Sequence, residues 1–417
     1  MRDRRIAVGL AVLALIAAAC GGGSATTAPT TAASAPAATG ASSEPSSAAS
    51  PSGGGTVGEG EGSLNLVAWT QYVMGGSGGE PVPSGGYDWV TPFEQATGCK
   101  TTAKVASSSS EMVQLMKTGE YDGVSASGDA TLRLIAGGDV AAVDTSLIPN
   151  YANVFDGLKN QPHNTVDGKS YGVPHGRGAN LLMWNTDVVK PDPDSWSVVF
   201  DGGSAYKGKV TAYDYEIYIA DAAVYLMSTK PDLKITNPYA LDATQFQAAV
   251  DLLKAQRQNI TTYWGTAQQE IDSFTSGDMV VGTTWQYQAS VLQSAKPPVP
   301  VKVTKPKEGT TGWSDTWMIS SKAKHPNCMY KWMDYIISPL ANAQATVWFG
   351  EAPVSQQACA EAEKLSAGQC DLFHATDEAY FKDVYYWNTP KTDCLDGRGP
   401  ICTDFSAWTA AWTEIKG

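Results

Sequence analysis

The stretch Gly312-Trp-Ser-Asp-Thr-Trp-Met318 puts a carboxylate among indoles. Read as a β-strand, it places Trp313, Asp315 and Trp317 on one face, because successive side chains alternate. A bare carboxylate among apolar rings is costly unless something positive meets it. That positive group is either part of the protein or a ligand. Trp317 is expected to serve core packing.

Other residues that do chemistry are sparse. Gly75-Gly-Ser-Gly-Gly79 has the letters of a nucleophile elbow, but it lies in a glycine-rich loop rather than between strand and helix. The four histidines, His163, His175, His325 and His374, have no metal-ligand spacing, and no phosphate loop or H-E-x-x-H occurs. Asp214 and Glu216 are a carboxylate pair of the kind glycosidases use, but a solvated pair is the commoner case. The chain is therefore expected to be no enzyme and to need no metal or cofactor.

Seven cysteines are present. Cys20 ends an apolar run, Ile6 to Ala19, that follows Arg2 to Arg5. The run is too short to span a membrane comfortably and reads as a signal peptide, residues 1–19. Small residues before Cys20 resemble the lipobox of bacterial lipoproteins, with Ala17 where a larger residue is usual. Residues 20–62 are then a lipidated cysteine and a Ser/Thr/Ala/Pro/Gly tether, too polar to bury a core. The other six cysteines suit disulfides in an exported protein. Six allow fifteen connectivities; short-range pairing favours Cys359–Cys370 and Cys394–Cys402, which leaves Cys99–Cys328.

The roughly 355 residues after the tether suit two lobes rather than one core. The formal charge is −13, and −15 without Arg2, Asp3, Arg4 and Arg5, which together carry +2. An acidic body is a poor nucleic-acid binder.

Strands and helices alternate along this body. Strand-like runs at Leu64–Trp69, Thr101–Val105 and Tyr121–Val124 are separated by helical patterns at 88–97 and after Ser108, where Ser108-x-x-Glu111 reads as a capping box. The style repeats through 171–185, 207–210, 245–260, 270–277, 279–285 and 298–303. Helices at 327–337 and 340–349 follow the Trp-Asp-Trp stretch. This is an α/β pattern with a mostly parallel sheet. Ligands bind such sheets beyond the carboxyl ends of the strands, where Trp69 to Tyr72 and Ser127 to Asp129 lie.

Four segments in order resemble the bacterial spermidine/putrescine-binding proteins of ABC importers. They are Val67-Ala-Trp-Thr-Gln-Tyr72; Tyr121-Asp-Gly-Val-Ser-Ala-Ser127; Tyr171-Gly-Val-Pro174 through Met183-Trp-Asn185; and Lys305-Pro-Lys-Glu-Gly-Thr-Thr-Gly-Trp-Ser-Asp315 with Gly350-Glu-Ala-Pro353. The last is the most specific. The resemblance implies a two-lobed α/β fold of the periplasmic-binding type with a cleft between the lobes. It puts residues 63–174 and 312–352 in lobe 1, and 175–311 and 353–417 in lobe 2. The chain then crosses near Pro174, Gly312 and Pro353, and no disulfide of the set above bridges the cleft.

It also implies site roles. Asp315 would meet a ligand ammonium through charge-assisted hydrogen bonds. Trp313, with Trp69, Tyr72, Ser127 and Trp285, would complete a cage whose indoles add roughly 0.5–2 kcal/mol each of cation–π attraction. Three positions depart from the family's pattern. Gln71 stands where an acid is expected, and Asp129 and Glu351 stand near positions where tyrosines are expected. Asp214 matches the second-lobe acid loosely. Arg177 stands in a segment where aromatics are usual; it would repel a polyamine, neutralise an acid, hold a ligand carboxylate, or point away into a structural ion pair.

The expectation is a lipid-anchored solute-binding protein on the outer face of the cytoplasmic membrane. It would be a monomer serving an importer's permease and ATPase, with a polyamine as ligand. The alternatives are another small solute (a zwitterionic amine, an amino acid or a sugar), a secreted hydrolase, or a purely structural surface lipoprotein.

Overall fold

The computed structural model describes residues 55–201 and 205–417. The signal peptide, Cys20 and most of the expected tether lie outside the described residues. The last part of that tether is packed on the body. Val57 touches the first core, and Glu61 accepts from the backbone N–H groups of Asn327 and Cys328, both at 2.9 Å. A carboxylate there satisfies free donors at the start of helix Pro326–Ile336.

Two five-stranded sheets form the frame. The first runs Lys100–Val105, Ser63–Ala68, Gly123–Ala126, Thr316–Ile319, Val173–Pro174. Its first three strands are parallel, and Thr316–Ile319 is antiparallel to Gly123–Ala126. The second runs Ile260–Trp264, Val210–Tyr213, Val281–Thr284, Leu181–Asn185, Val301–Thr304. Its first three strands are parallel as well. Each sheet is covered by helices over apolar cores led by buried aromatics: Trp89, Phe93, Trp317 and Trp332 in the first lobe, Trp196, Phe200, Tyr218 and Trp408 in the second.

Local signals set the helix ends. Helix Val90–Thr97 stops at Gly98, whose φ of 72° is left-handed. Ser108 caps Ser109–Lys117 by accepting from Glu111 N–H, but the Glu111 carboxylate turns to Ser107, so the expected box is one-sided. Reciprocal boxes stand instead at Asp242/Gln245 and Thr266/Gln269.

A three-stranded sheet links the lobes: Thr310–Trp313 lies between Val384–Tyr386 and Gly178–Ala179. This corrects the expected return near Pro353. Helix Gln356–Leu365 packs with the first lobe, on helix Pro339–Phe349, through small residues Ala343, Ala352, Cys359 and Ala362. Phe155 N–H donates to the Val354 carbonyl, fixing the segment there. The chain joins the linking sheet only at Val384–Tyr386, and helix Phe405–Lys416 closes on the second core through Trp408, Trp412 and Ile415. The disulfides are Cys99–Cys328, Cys359–Cys370 and Cys394–Cys402. The middle one therefore belongs to the first lobe, not the second.

Candidate functional site

The parallel strands Ser63–Ala68, Gly123–Ala126, Val210–Tyr213 and Val281–Thr284 deliver Trp69, Ser127, Tyr215 and Trp285 just past their carboxyl ends. Thr316–Ile319 runs the other way, so its amino end delivers Asp315 to the same edge. Topology thus gathers residues from five distant segments.

The Trp-Asp-Trp stretch is not one strand. Gly312 pairs with Ala179 and Tyr386 in the linking sheet, whereas Thr316 pairs with Ala126 and Pro174 in the first sheet. The break falls at Ser314 and Asp315. Trp313 packs with the second core and Trp317 with the first. The shared face expected from alternation is replaced by a carboxylate at the passage between lobes.

Asp315 is 4% exposed. The Ser127 hydroxyl donates to its Oδ1 at 2.6 Å and the Tyr72 hydroxyl to its Oδ2 at 2.8 Å. These partners are hydroxyls, not cations. Burial pushes its pKa up to about 6, against the pull of those two donors. Tyr72 is buried, stacked on His175 at 4.1 Å and edge-on to Phe349 at 4.8 Å.

Glu351 is fully buried, and burial, with the nearby charge of Asp315, pushes its pKa well up. His175 Nε2 stands 3.4 Å from its Oε1. Burial lowers the His175 pKa to about 3, so the ring is neutral at ordinary pH. Asp129 is also fully buried, and burial raises its pKa to about 7. It accepts from Ser109 at 3.0 Å and, across the lobes, from the Tyr215 hydroxyl at 2.5 Å. Close by, a Cβ on Gly128 would fall 1.7 Å from the Trp387 carbonyl oxygen, so only glycine admits this approach of the lobes.

The second lobe supplies an aromatic wall. Trp264, Trp285, Trp313 and Trp387 follow one another at centroid spacings of 5.0, 5.4 and 6.5 Å. Trp285 N–H donates to Asn180 Oδ1 at 2.9 Å. Trp69 is partly buried beside the first-lobe cores. Gln71 has a φ of 68°, and its backbone N–H donates to the Glu80 carboxylate, which the Thr70 hydroxyl also meets at 2.7 Å.

Two expected site residues lie elsewhere. Asp214 faces the C-terminal helix, paired with Lys416 at 2.7 Å and bonded by Trp412 N–H at 3.0 Å. Its neighbour Tyr215 turns to the cleft instead, since adjacent side chains leave an extended backbone on opposite sides. Arg177 is fully buried and held by Glu378 at 2.7 Å and the Ala375 carbonyl at 2.8 Å, over the Phe381 ring. It lines a cavity of about 670 Å³ with His163, Tyr239, Glu378 and Asn388, apart from Asp315. Tyr215, His175, Trp264 and Trp387 are contributors the sequence reading missed. The sequence marks His175 only as one of four histidines without metal-ligand spacing, and no local pattern marks the others.

The family described as bacterial extracellular solute-binding protein matches residues 88–368. Spermidine/putrescine-binding periplasmic protein 1 of Haemophilus influenzae is 25% identical over 293 residues, 69% of this chain and 74% of the relative. The putrescine/cadaverine-binding protein of Pseudomonas aeruginosa is 25% identical over 288 residues, 66% of this chain and 74% of the relative. Among solved structures, the substrate-binding protein of a spermidine/putrescine ABC transporter from Streptococcus pneumoniae superposes with a TM-score of 0.64. That match is 16% identical and covers 85% of this chain and 97% of the other.

Proposed function

Because the chain belongs to the bacterial extracellular solute-binding proteins, we propose that it captures a polyamine of the putrescine or spermidine class between its lobes. It hands this ligand to the permease and ATPase of an ABC importer. It works as an exported monomer, tethered by lipid on Cys20 to the outer face of the cytoplasmic membrane.

The observation that carries the reading is Asp315: a buried carboxylate at the passage between the lobes, served only by hydroxyls. A buried charge needs a partner, and a ligand ammonium supplies it while the tryptophan faces cover its methylenes. The names of the relatives point the same way. Arg177, which an amino acid's carboxylate would need, is engaged by Glu378, and this favours a ligand with positive groups alone. Buried polar atoms on Trp69, Trp387 and Ser314 have no hydrogen-bond partner. Each such group costs about 1–3 kcal/mol, which ligand contacts would reduce.

The test is calorimetric titration of the full-length chain with putrescine, spermidine, spermine, lysine and maltose. Micromolar or tighter binding of at least one polyamine is expected. Heat from lysine or maltose with none from the amines would overturn the polyamine assignment. For the anchor, Cys20→Ala is expected to move most of the protein from the membrane fraction to the soluble fraction; an unchanged distribution would refute lipidation.

A further inference from the structure

Four contacts converge on His175. Its backbone N–H donates to the Asp315 carbonyl at 2.8 Å. Asn342 Nδ2 donates to the His175 carbonyl at 2.8 Å. The ring lies on Tyr72 with an interplanar angle of 24°. Trp317 N–H donates to Nδ1 at 2.9 Å. Nδ1 is therefore an acceptor, and the neutral ring carries its proton on Nε2. That nitrogen stands 3.4 Å from Glu351 Oε1, a close approach without hydrogen-bond geometry, since neither atom has a hydrogen-bond partner. The next residue leaves no freedom: a Cβ on Gly176 would fall 2.4 Å from the Glu351 carboxyl carbon. The segment thus packs both against the tyrosine whose hydroxyl serves Asp315 and against the Glu351 carboxyl.

The groups around this pair are Ser127 and Tyr72 from the first lobe, His175 from the linking segment, and the two acids themselves. Trp313 also bears on Glu351. Asp129, farther along, is met by Ser109 and Tyr215 and feels the opposed charges of Arg133 and Glu216. No lysine or arginine among the described residues forms an ion pair with Asp315 or Glu351, the one basic contact being the neutral His175. Two buried carboxyls, one feeling the charge of the other and neither paired with a cation, do not both ionise.

We infer that Asp315 and Glu351 together hold one proton when no ligand is bound, that His175 is the residue that positions them, and that the ligand's ammonium enters in exchange for that proton. The proton leaves to solvent, and the ammonium takes its place as the positive partner. This rests on the polyamine reading and adds a stoichiometry to it. It also explains why the acid at Glu351 is tolerable in the empty protein.

The experiment is putrescine titration of the full-length chain at pH 6.5 in phosphate and in a buffer of high ionisation enthalpy. Alkyl ammonium groups titrate near pH 10, so any exchange belongs to the protein. Close to one proton released per ligand is expected, with affinity rising up to tenfold per pH unit from pH 5. Glu351→Gln should cut the release to below half and flatten the pH profile. His175→Phe, which retains a ring on Tyr72 but removes the Nε2 proton, should shift that profile, and His175→Gln should restore it in part. A merely structural His175 would change melting temperature and leave the proton count untouched. Equal heats in both buffers with binding intact would overturn the exchange while sparing the polyamine reading. Absence of any amine binding would overturn both. If the His175 variants fail to fold, the Glu351→Gln proton count still decides the exchange.

Discussion

Asp315→Asn is expected to lower polyamine affinity at least 100-fold and, at pH 7.5, to make the empty protein more stable. The loss follows from leaving a desolvated ammonium without its countercharge, which costs about 2–5 kcal/mol. The gain follows from the carboxylate's environment. Asp315 has a folded-state pKa of about 6, above the ordinary carboxylate range, because it is buried. Between about pH 4 and pH 6 the folded protein keeps a proton that the unfolded chain releases. Its contribution is therefore fully present below about pH 4 and is lost as pH rises through about 6. Above that, an unpaired buried charge remains, costing on the order of 1–3 kcal/mol.

Asparagine has the same shape and no charge, so the difference between the two proteins should be small at pH 4 and full at pH 7.5. His163 and His175, depressed by burial to about 4 and about 3, act in the opposite sense, losing stability as pH falls below 6.5. They are common to both proteins and cancel in the comparison. Thermal melts at the two pH values, with calorimetry beside them, check both halves. A variant that is less stable at pH 7.5 would show that Asp315 is an internal structural partner rather than a waiting site.

The sequence made the chemistry of this position legible but not its geometry. Trp313, Asp315 and Trp317 carry the right side chains at the right spacing. Their alternation looks the same whether the strand is continuous or broken, because register is set by distant partners. Here those partners, Ala179 and Tyr386 on one side and Ala126 and Pro174 on the other, lie in different sheets. The same limit explains Asp214. A reading from type alone chose the acid, whereas the backbone turned its neighbour Tyr215 into the cleft. Arg177 found its carboxylate at Glu378, 201 positions along, which no local window covers.

What was legible was local or compositional. The βα alternation, the Gly98 stop and the run of segments ending at Asp315 belong here. So does the short cysteine spacing, which favours two of the three bonds present and leaves the third. The placement of helix Gln356–Leu365 was not legible, because its small-residue face fits either lobe until Ala343 is brought against it.

Removing the Cys99–Cys328 disulfide is expected to produce the reverse pattern: a large loss of stability with little loss of affinity. The bond joins the turn before strand Lys100–Val105 to helix Pro326–Ile336, both in the first lobe. It closes 229 residues, against 11 and 8 for the other two. Loop-closure entropy grows as the logarithm of length, so this bond should exceed the shortest by about 3 kcal/mol. Both sulfurs are fully buried beside Gly60, where a Cβ would fall 2.5 Å from Cys99 Sγ. Cys99→Ala with Cys328→Ala should therefore cost about 2–5 kcal/mol, read as a lower denaturant midpoint. The bond does not bridge the lobes, so the folded fraction should bind its ligand within about threefold of the parent, well under 1 kcal/mol. If affinity falls with stability, the first lobe does not present Tyr72, Ser127 and Asp315 as a rigid unit. Lobe closure would then depend on strain carried through helix Pro326–Ile336.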